Sequence, residues 1–175
     1  MRTICTIGFA GKTAEDFFRL LREAGVKRVM DVRENRLGQL SGFAKFPDIA
    51  FLLKEIAGIE YVYEPLFAPS AEIREAYKAS KNWDAYEPAF LRLMKDRGAE
   101  EKLKSIDALG GTLALLCSEP RAEKCHRRLV AEMLAEEWRK AGEAVEVRHL
   151  YLEKPGPKPR TKRERRARGI EAADH

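Results

Sequence analysis

Two short runs of reactive side chains dominate the second half of the chain: Cys117-Ser118-Glu119 and Cys125-His126-Arg127. Thiols, a carboxylate, an imidazole and a guanidinium are the groups of nucleophilic, acid–base and anion-binding chemistry. Upstream, Asp31 and Arg33 flank a single valine, and Gly8 closes the first apolar run. Asp31 and Glu119 would serve as a general acid and base if their surroundings pull their pKa values apart. Arg33 and Arg127 suit bidentate capture of a phosphate or carboxylate. Cys117 or Cys125 supplies a supporting or nucleophilic thiol, and Gly8, Ser118 and His126 complete a ligand-binding surface.

Each residue also has a plainer role to weigh. A cysteine ending an apolar strand, as Cys117 does, is commonly a small core residue. Asp31 and Arg33 suit a structural ion pair as well as a site. If the helix begins near Glu123, Cys125 lies in its first turn, where free N–H groups favour a thiolate; if Pro120 is its first residue, that effect fades. Neighbours on a helix diverge by about 100°, so Cys125 and His126 are expected to point apart rather than form a dyad. The interval C-x7-C-H, with His149 far beyond, is unlike the short-spaced knuckle of structural zinc sites, and neither a metal nor a cofactor is expected. Gly8-Phe9-Ala10-Gly11 matches neither phosphate-loop nor dinucleotide fingerprints.

The elements that must position these groups alternate in type. Arg2–Gly8 reads as a first strand, and Thr13 with Asp16 as a helix cap ahead of Phe17, Leu20, Leu21 and Ala24. Val26–Val32 is the second strand, and this β-α-β opening predicts a parallel pair joined by a right-handed crossover. Glu34–Phe46 lacks a period and should be a loop. Asp48–Ala57 is a helix with Ile49, Leu52, Leu53 and Ile56 inward, and Ile59–Tyr63 is the third strand. Helices follow after Ser70, over Asn82–Arg97 and over Glu100–Leu109. The stripe Trp83, Tyr86, Phe90, Leu93, Met94 has helical spacing and reads as core. Thr112–Leu116 is a buried central strand leading to a helix from about Ala122, and Ala144–Tyr151 is the last strand. The fold class is therefore α/β: a mostly parallel five-stranded sheet, helices on both faces, in a single domain. Ligands of such sheets sit at the carboxyl ends of the strands, where Gly8, Asp31, Arg33 and Cys117 would meet.

Charge divides the chain unevenly. Residues 154–175 carry eight Lys and Arg against three acidic residues, which accounts for the whole net charge of +5. Residues 1–153 form the α/β domain; residues 154–175 form a basic tail too poor in apolar residues to order itself. Lys158, Arg160, Lys162, Arg163, Arg165, Arg166 and Arg168 suit sequence-independent contact with nucleic-acid phosphates. No apolar run reaches membrane-spanning length, and the N-terminus reads as a strand rather than a secretory leader. Three irregularly spaced cysteines give no disulfide framework and suit the reducing cytoplasm.

Thr6-Ile7-Gly8, Asp31-Val32-Arg33, Gly42-Phe43 and above all Leu116-Cys117-Ser118-Glu119-Pro120 followed by Cys125-His126-Arg127 resemble the domain of unknown function 488 family. Glu72-Ile73-Arg74 with Tyr77, and Trp83 with Tyr86, fit its middle section. The resemblance implies an α/β domain and carries motif positions but no assigned reaction. Phe9-Ala10 stands where the family usually has His-Ser, and Asn35-Arg36-Leu37-Gly38 where it usually has Pro and Ser. Both changes remove polar groups from the expected crevice.

Three functions fit these residues. The first is an enzyme of nucleotide or nucleic-acid chemistry, with a small anionic or nucleotide ligand in a polar cleft. The second is a non-catalytic module that binds nucleic acid through the tail. The third, suggested by Asp31-Val32-Arg33-Glu34 and a later strand-end cysteine, is a rhodanese-like sulfurtransferase. There Pro120 removes a backbone donor and Glu119 would repel an anion. The first reading requires the second and fourth strands to run side by side.

Overall fold

The computed structural model describes residues 1–38, 41–106 and 111–152. Five parallel strands, β1 (Arg2–Gly8), β2 (Val26–Asp31), β3 (Glu60–Tyr63), β4 (Thr112–Cys117) and β5 (Val145–Leu150), form one sheet in the order β3-β2-β4-β1-β5. Six α-helices cover it: α1 (Ala14–Glu23), α2 (Asp48–Ala57), α3 (Ala71–Ser80), α4 (Trp83–Asp96), α5 (Ala99–Ser105) and α6 (His126–Lys140).

The central position of β4 follows from its composition. Thr-Leu-Ala-Leu-Leu-Cys has apolar groups on both faces, and Leu113 to Cys117 are all buried. Leu113 and Leu115 pack with Phe90, Met94, Leu103, Leu129 and Leu134 on the side of α4, α5 and α6. Ala114 and Leu116 pack with Phe17, Leu21, Ile49 and Leu53 on the side of α1 and α2. A strand buried on both faces gains most from the middle of a parallel sheet. This displaces the direct β1–β2 pairing expected from the opening: β4 lies between them, in parallel register with Gly8 opposite Cys117 and Asp31 opposite Leu116.

Local signals place the ends. The Thr13 hydroxyl accepts from the Asp16 N–H at 3.1 Å, and Ser70 and Asn82 cap α3 and α4. Two elements depart from expectation. Ile56 on α2 is 46% exposed, at the helix end where its face turns to solvent. Helix α6 starts at His126 rather than near Ala122 or Glu123, with Cys125 as an extended cap residue at φ −142° and ψ 138°. Residues 107–109, expected to extend α5, lie outside the described residues.

Candidate functional site

The exits of β1, β2 and β4 open together, as the parallel register requires. Gly8 is fixed by crowding: a Cβ there would sit 1.7 Å from the Glu119 carbonyl oxygen. The absent side chain lets the segment after β1 run against the segment after β4. The Phe9 N–H donates to the Cys117 carbonyl at 3.3 Å, and the Ala10 N–H to the Ser118 carbonyl at 3.0 Å. Glycine is thus required by close backbone approach.

At the β2 exit the polar groups are closed on one another. The Asp31 carboxylate accepts from Arg33 Nε at 2.8 Å, Arg33 Nη2 at 2.6 Å and the Tyr61 hydroxyl at 2.7 Å, and the backbone N–H of Arg33 adds a fourth donor. Arg33 Nη1 donates to the Ala44 carbonyl at 2.9 Å. Asp31 is fully buried and Arg33 nearly so. The structural ion pair anticipated above is therefore present. Three of the five Arg33 N–H donors are spent inside the protein; Arg33 borders the cavity described below whereas Arg127 does not, and Asp31 is enclosed while Glu119 is exposed. Glu119 lines that cavity and Asp31 does not, so the expected Asp31–Glu119 acid–base couple does not meet there.

The β4 exit is arranged differently. His126 Nε2 donates to the Val32 carbonyl at 2.9 Å, because a carbonyl can only accept, and Nδ1 is turned toward the two thiols. Cys117 Sγ lies 3.8 Å from Nδ1 and Cys125 Sγ lies 3.9 Å from it. The expected divergence of Cys125 and His126 fails because Cys125 is not helical: its extended backbone turns the thiol back onto the ring that begins α6. All three side chains are buried, and their ligand atoms lie within 4.8 Å of one another.

These groups shift each other's ionisation. A hydrogen bond from the Cys125 thiol, opposed by burial and assisted by His126 and the Glu119 N–H, holds Cys117 well below the usual thiol range. Burial, then the neighbouring Cys117, pushes Cys125 well above it. Burial disfavours a charged His126, but the Cys117 thiolate outweighs it and raises that group. A rhodanese-like loop would instead surround its sulfur with several backbone donors.

Arg127 lies behind the cluster, wholly buried. Its Nη1 donates to the Glu119 carbonyl at 2.6 Å and to Cys125 Sγ at 3.4 Å, while Nε and Nη2 find no hydrogen-bond partner among the described residues.

A cavity of about 710 Å³ opens over this cluster. Cys117, Cys125 and His126 form part of its wall with Ser118, Glu119 and Lys124, and Phe9, Tyr77 and Tyr86 give it aromatic surface. Tyr86 stacks between Trp83 at 4.8 Å and Phe90 at 6.1 Å, and Phe90 reaches His126 at 5.8 Å. Burial pushes the Tyr86 hydroxyl well above its ordinary value. Arg74 on this wall pairs with Glu34 and Lys78 with Glu75, whereas Lys124 is exposed and forms no ion pair among the described residues. Sequence reasoning placed Gly8, Arg33, Cys117, Ser118, Glu119, Cys125 and His126 in this region. It missed Lys124, and it read Tyr86 as core alone. Helical spacing reveals which face is buried but not that one edge of that face borders a cavity. The basic residues from Lys158 to Arg168 lie outside the described residues.

Fold and site together define a doubly covered parallel α/β domain with a thiol–imidazole cluster at its central strand end. The chain belongs to the family called domain of unknown function DUF488, whose family model matches residues 13–134. No curated protein and no solved structure matches it significantly. No helix among the described residues is long and apolar enough to cross a membrane.

Proposed function

We propose that this chain is an enzyme of nucleotide or nucleic-acid chemistry, acting on a phosphorylated ligand in the cavity over β4. The observation that carries the reading is the composition of that one wall. Lys124 and Glu119, neither of which forms an ion pair among the described residues, face it, and half-buried Tyr77 offers the accessible aromatic surface, Phe9 and Tyr86 being almost wholly buried, above a thiol–imidazole floor. A base stacks on aromatic rings, a phosphate is drawn to a lysine, and a nearby carboxylate moves a proton. The volume lies within the range of small-molecule sites.

In this reading Glu119 is the general acid or base, Lys124 holds the anion, and Cys117, Cys125 and His126 are the supporting centre. Asp31 and Arg33 fix the wall rather than touch substrate. Three free cysteines suit a reducing, cytoplasmic setting. The domain over residues 1–153 would carry the chemistry, and the basic tail would add phosphate contacts with a longer nucleic acid.

The test is to incubate the full chain with mononucleotides and short oligonucleotides and to follow products by chromatography. Turnover that falls about 100-fold or more in Glu119→Gln, at unchanged thermal stability, supports the reading. Turnover that is indifferent to both Glu119→Gln and Lys124→Ala places the chemistry elsewhere, and failure to bind any nucleotide or oligonucleotide overturns the proposal.

A further inference from the structure

We infer that Cys117, Cys125 and His126 form a binding site for a thiophilic divalent cation of the zinc type, with its remaining coordination position facing the cavity. The inference rests on the proposed function only in assigning the open position to substrate or water; the ligand set stands on geometry alone.

Three features of the geometry converge. Zinc binds thiolate at about 2.3 Å and imidazole nitrogen at about 2.0–2.1 Å, so a tetrahedral site spaces sulfur and nitrogen by about 3.6 Å. Nδ1 of His126 lies 3.8 Å from one sulfur and 3.9 Å from the other, within a small side-chain adjustment of that value. All three donor atoms lie within 4.8 Å of one another, close enough to share one ion. Secondly, the ring is presented as a metal ligand is usually presented: Nε2 donates to the Val32 carbonyl at 2.9 Å, fixing the tautomer and turning the Nδ1 lone pair toward the sulfurs. Thirdly, Arg127 is a wholly buried guanidinium that pairs with no carboxylate among the described residues, and its Nη1 donates to Cys125 Sγ at 3.4 Å. Two thiolates neutralise the divalent ion itself, so the contribution of Arg127 is its hydrogen bond: an N–H donor to a ligand sulfur is a usual outer contact.

The chain interval argued against a metal because the two cysteines stand far apart in sequence. The fold removes that objection: the segment after β4 returns to the start of α6, and extended Cys125 faces back toward Cys117. Two sulfurs and one imidazole select zinc-like ions over magnesium or calcium, which take oxygen ligands. Three protein ligands with one position left toward a cavity is the pattern of a catalytic rather than a closed structural site. Cys117, Cys125 and His126 all reach the cavity wall beside Ser118 and Glu119.

The experiment titrates the reduced, metal-free full chain with Co²⁺ and then Zn²⁺. The expected result is one ion per chain, with intense ligand-field bands of a tetrahedral centre and sulfur-to-cobalt charge transfer, both abolished by stoichiometric Zn²⁺. Charge transfer should fall in Cys117→Ser and Cys125→Ser, and the affinity should drop at least about 10-fold in His126→Gln. Because a buried substitution can disturb folding, X-ray absorption of the zinc-loaded wild-type chain gives an independent reading. Two sulfurs and one imidazole nitrogen in the first shell support the site. No cobalt spectrum from fully reduced protein, a shell of oxygens, or full binding by folded Cys117→Ser and Cys125→Ser chains overturns it. Metal uptake without nucleotide binding would sink the proposed function and leave this site standing; nucleotide turnover by metal-free protein with none of these spectra would do the reverse.

Discussion

The exits of β2 and β4 lie side by side, and their buried polar groups are treated in opposite ways. At β2, Asp31 receives four hydrogen bonds from Arg33 and Tyr61, and Arg33 uses its last terminal nitrogen on the Ala44 carbonyl. Every guanidinium nitrogen of Arg33 and both carboxylate oxygens of Asp31 have a partner inside the protein. At β4, the Nδ1 edge of His126 faces two thiols at near-equal distance, and Arg127 keeps two nitrogens without partners among the described residues. Buried polar groups normally satisfy one another. The closed cluster therefore reads as architecture, and the incompletely satisfied one as a place where something binds.

The largest effect should come at the β1 exit, on the other side of β4. Gly8→Ala drives a methyl group into the Glu119 carbonyl, which belongs to backbone and cannot step aside. We expect a loss of about 4–5 kcal/mol, at the severe end for single substitutions, with soluble yield and chemical denaturation as the readout. Next, Asp31→Asn should cost about 3–5 kcal/mol, because it leaves buried Arg33 without its counter-charge. Cys117→Ala, by contrast, should cost only about 1 kcal/mol. Equal losses at the two positions would erase the distinction between architecture and site. Glu119→Gln should leave stability within about 0.5 kcal/mol of wild type, since Glu119 is exposed, while turnover falls as stated above. Lys124→Ala should weaken nucleotide binding several-fold and flatten its salt dependence, by removing one screened charge.

The smallest effect is a control on pH outside both clusters. Burial, with nearby Arg127 adding to it, lowers the pKa of His149, whose Nδ1 lies 2.8 Å from the Thr6 hydroxyl. A histidine with a depressed folded pKa binds protons better when unfolded. Its contribution is intact above the unfolded value near 6.5 and is lost as pH falls toward the folded one. His149→Gln should therefore flatten the stability profile below about pH 6.5. An unchanged acid limb in that variant would count against the assignment.

Much of the architecture was legible because apolar spacing reports which side of a helix or strand is buried. Arg2–Gly8 and Asp48–Ala57 are found at the expected boundaries, and Thr13, Ser70 and Asn82 announce helix starts through their side-chain oxygens. Strand order was less accessible. The intimate β-α-β unit suggested that β1 and β2 pair, but the two-sided burial of β4, a property of the whole sheet, places it between them. At the site, residue types were visible and their relations were not. Whether Cys125 faces His126 depends on one residue of helix boundary, since an extended cap turns its side chain where a helical residue would not. Likewise Asp31 and Arg33 look the same in sequence whether they face substrate or each other; Tyr61, thirty positions on, closes the pair from the adjacent strand.

The central claim is that a mononucleotide binds in the cavity over β4 rather than on the basic tail. It is tested most directly by titrating the isotopically labelled full chain with a mononucleotide while following backbone amide resonances. The account predicts saturable shifts concentrated at Tyr77, Tyr86, Ser118, Glu119, Lys124 and Cys125, with Tyr61 little affected. Shifts confined to the basic residues beyond Glu153, or no shifts at all, would contradict it.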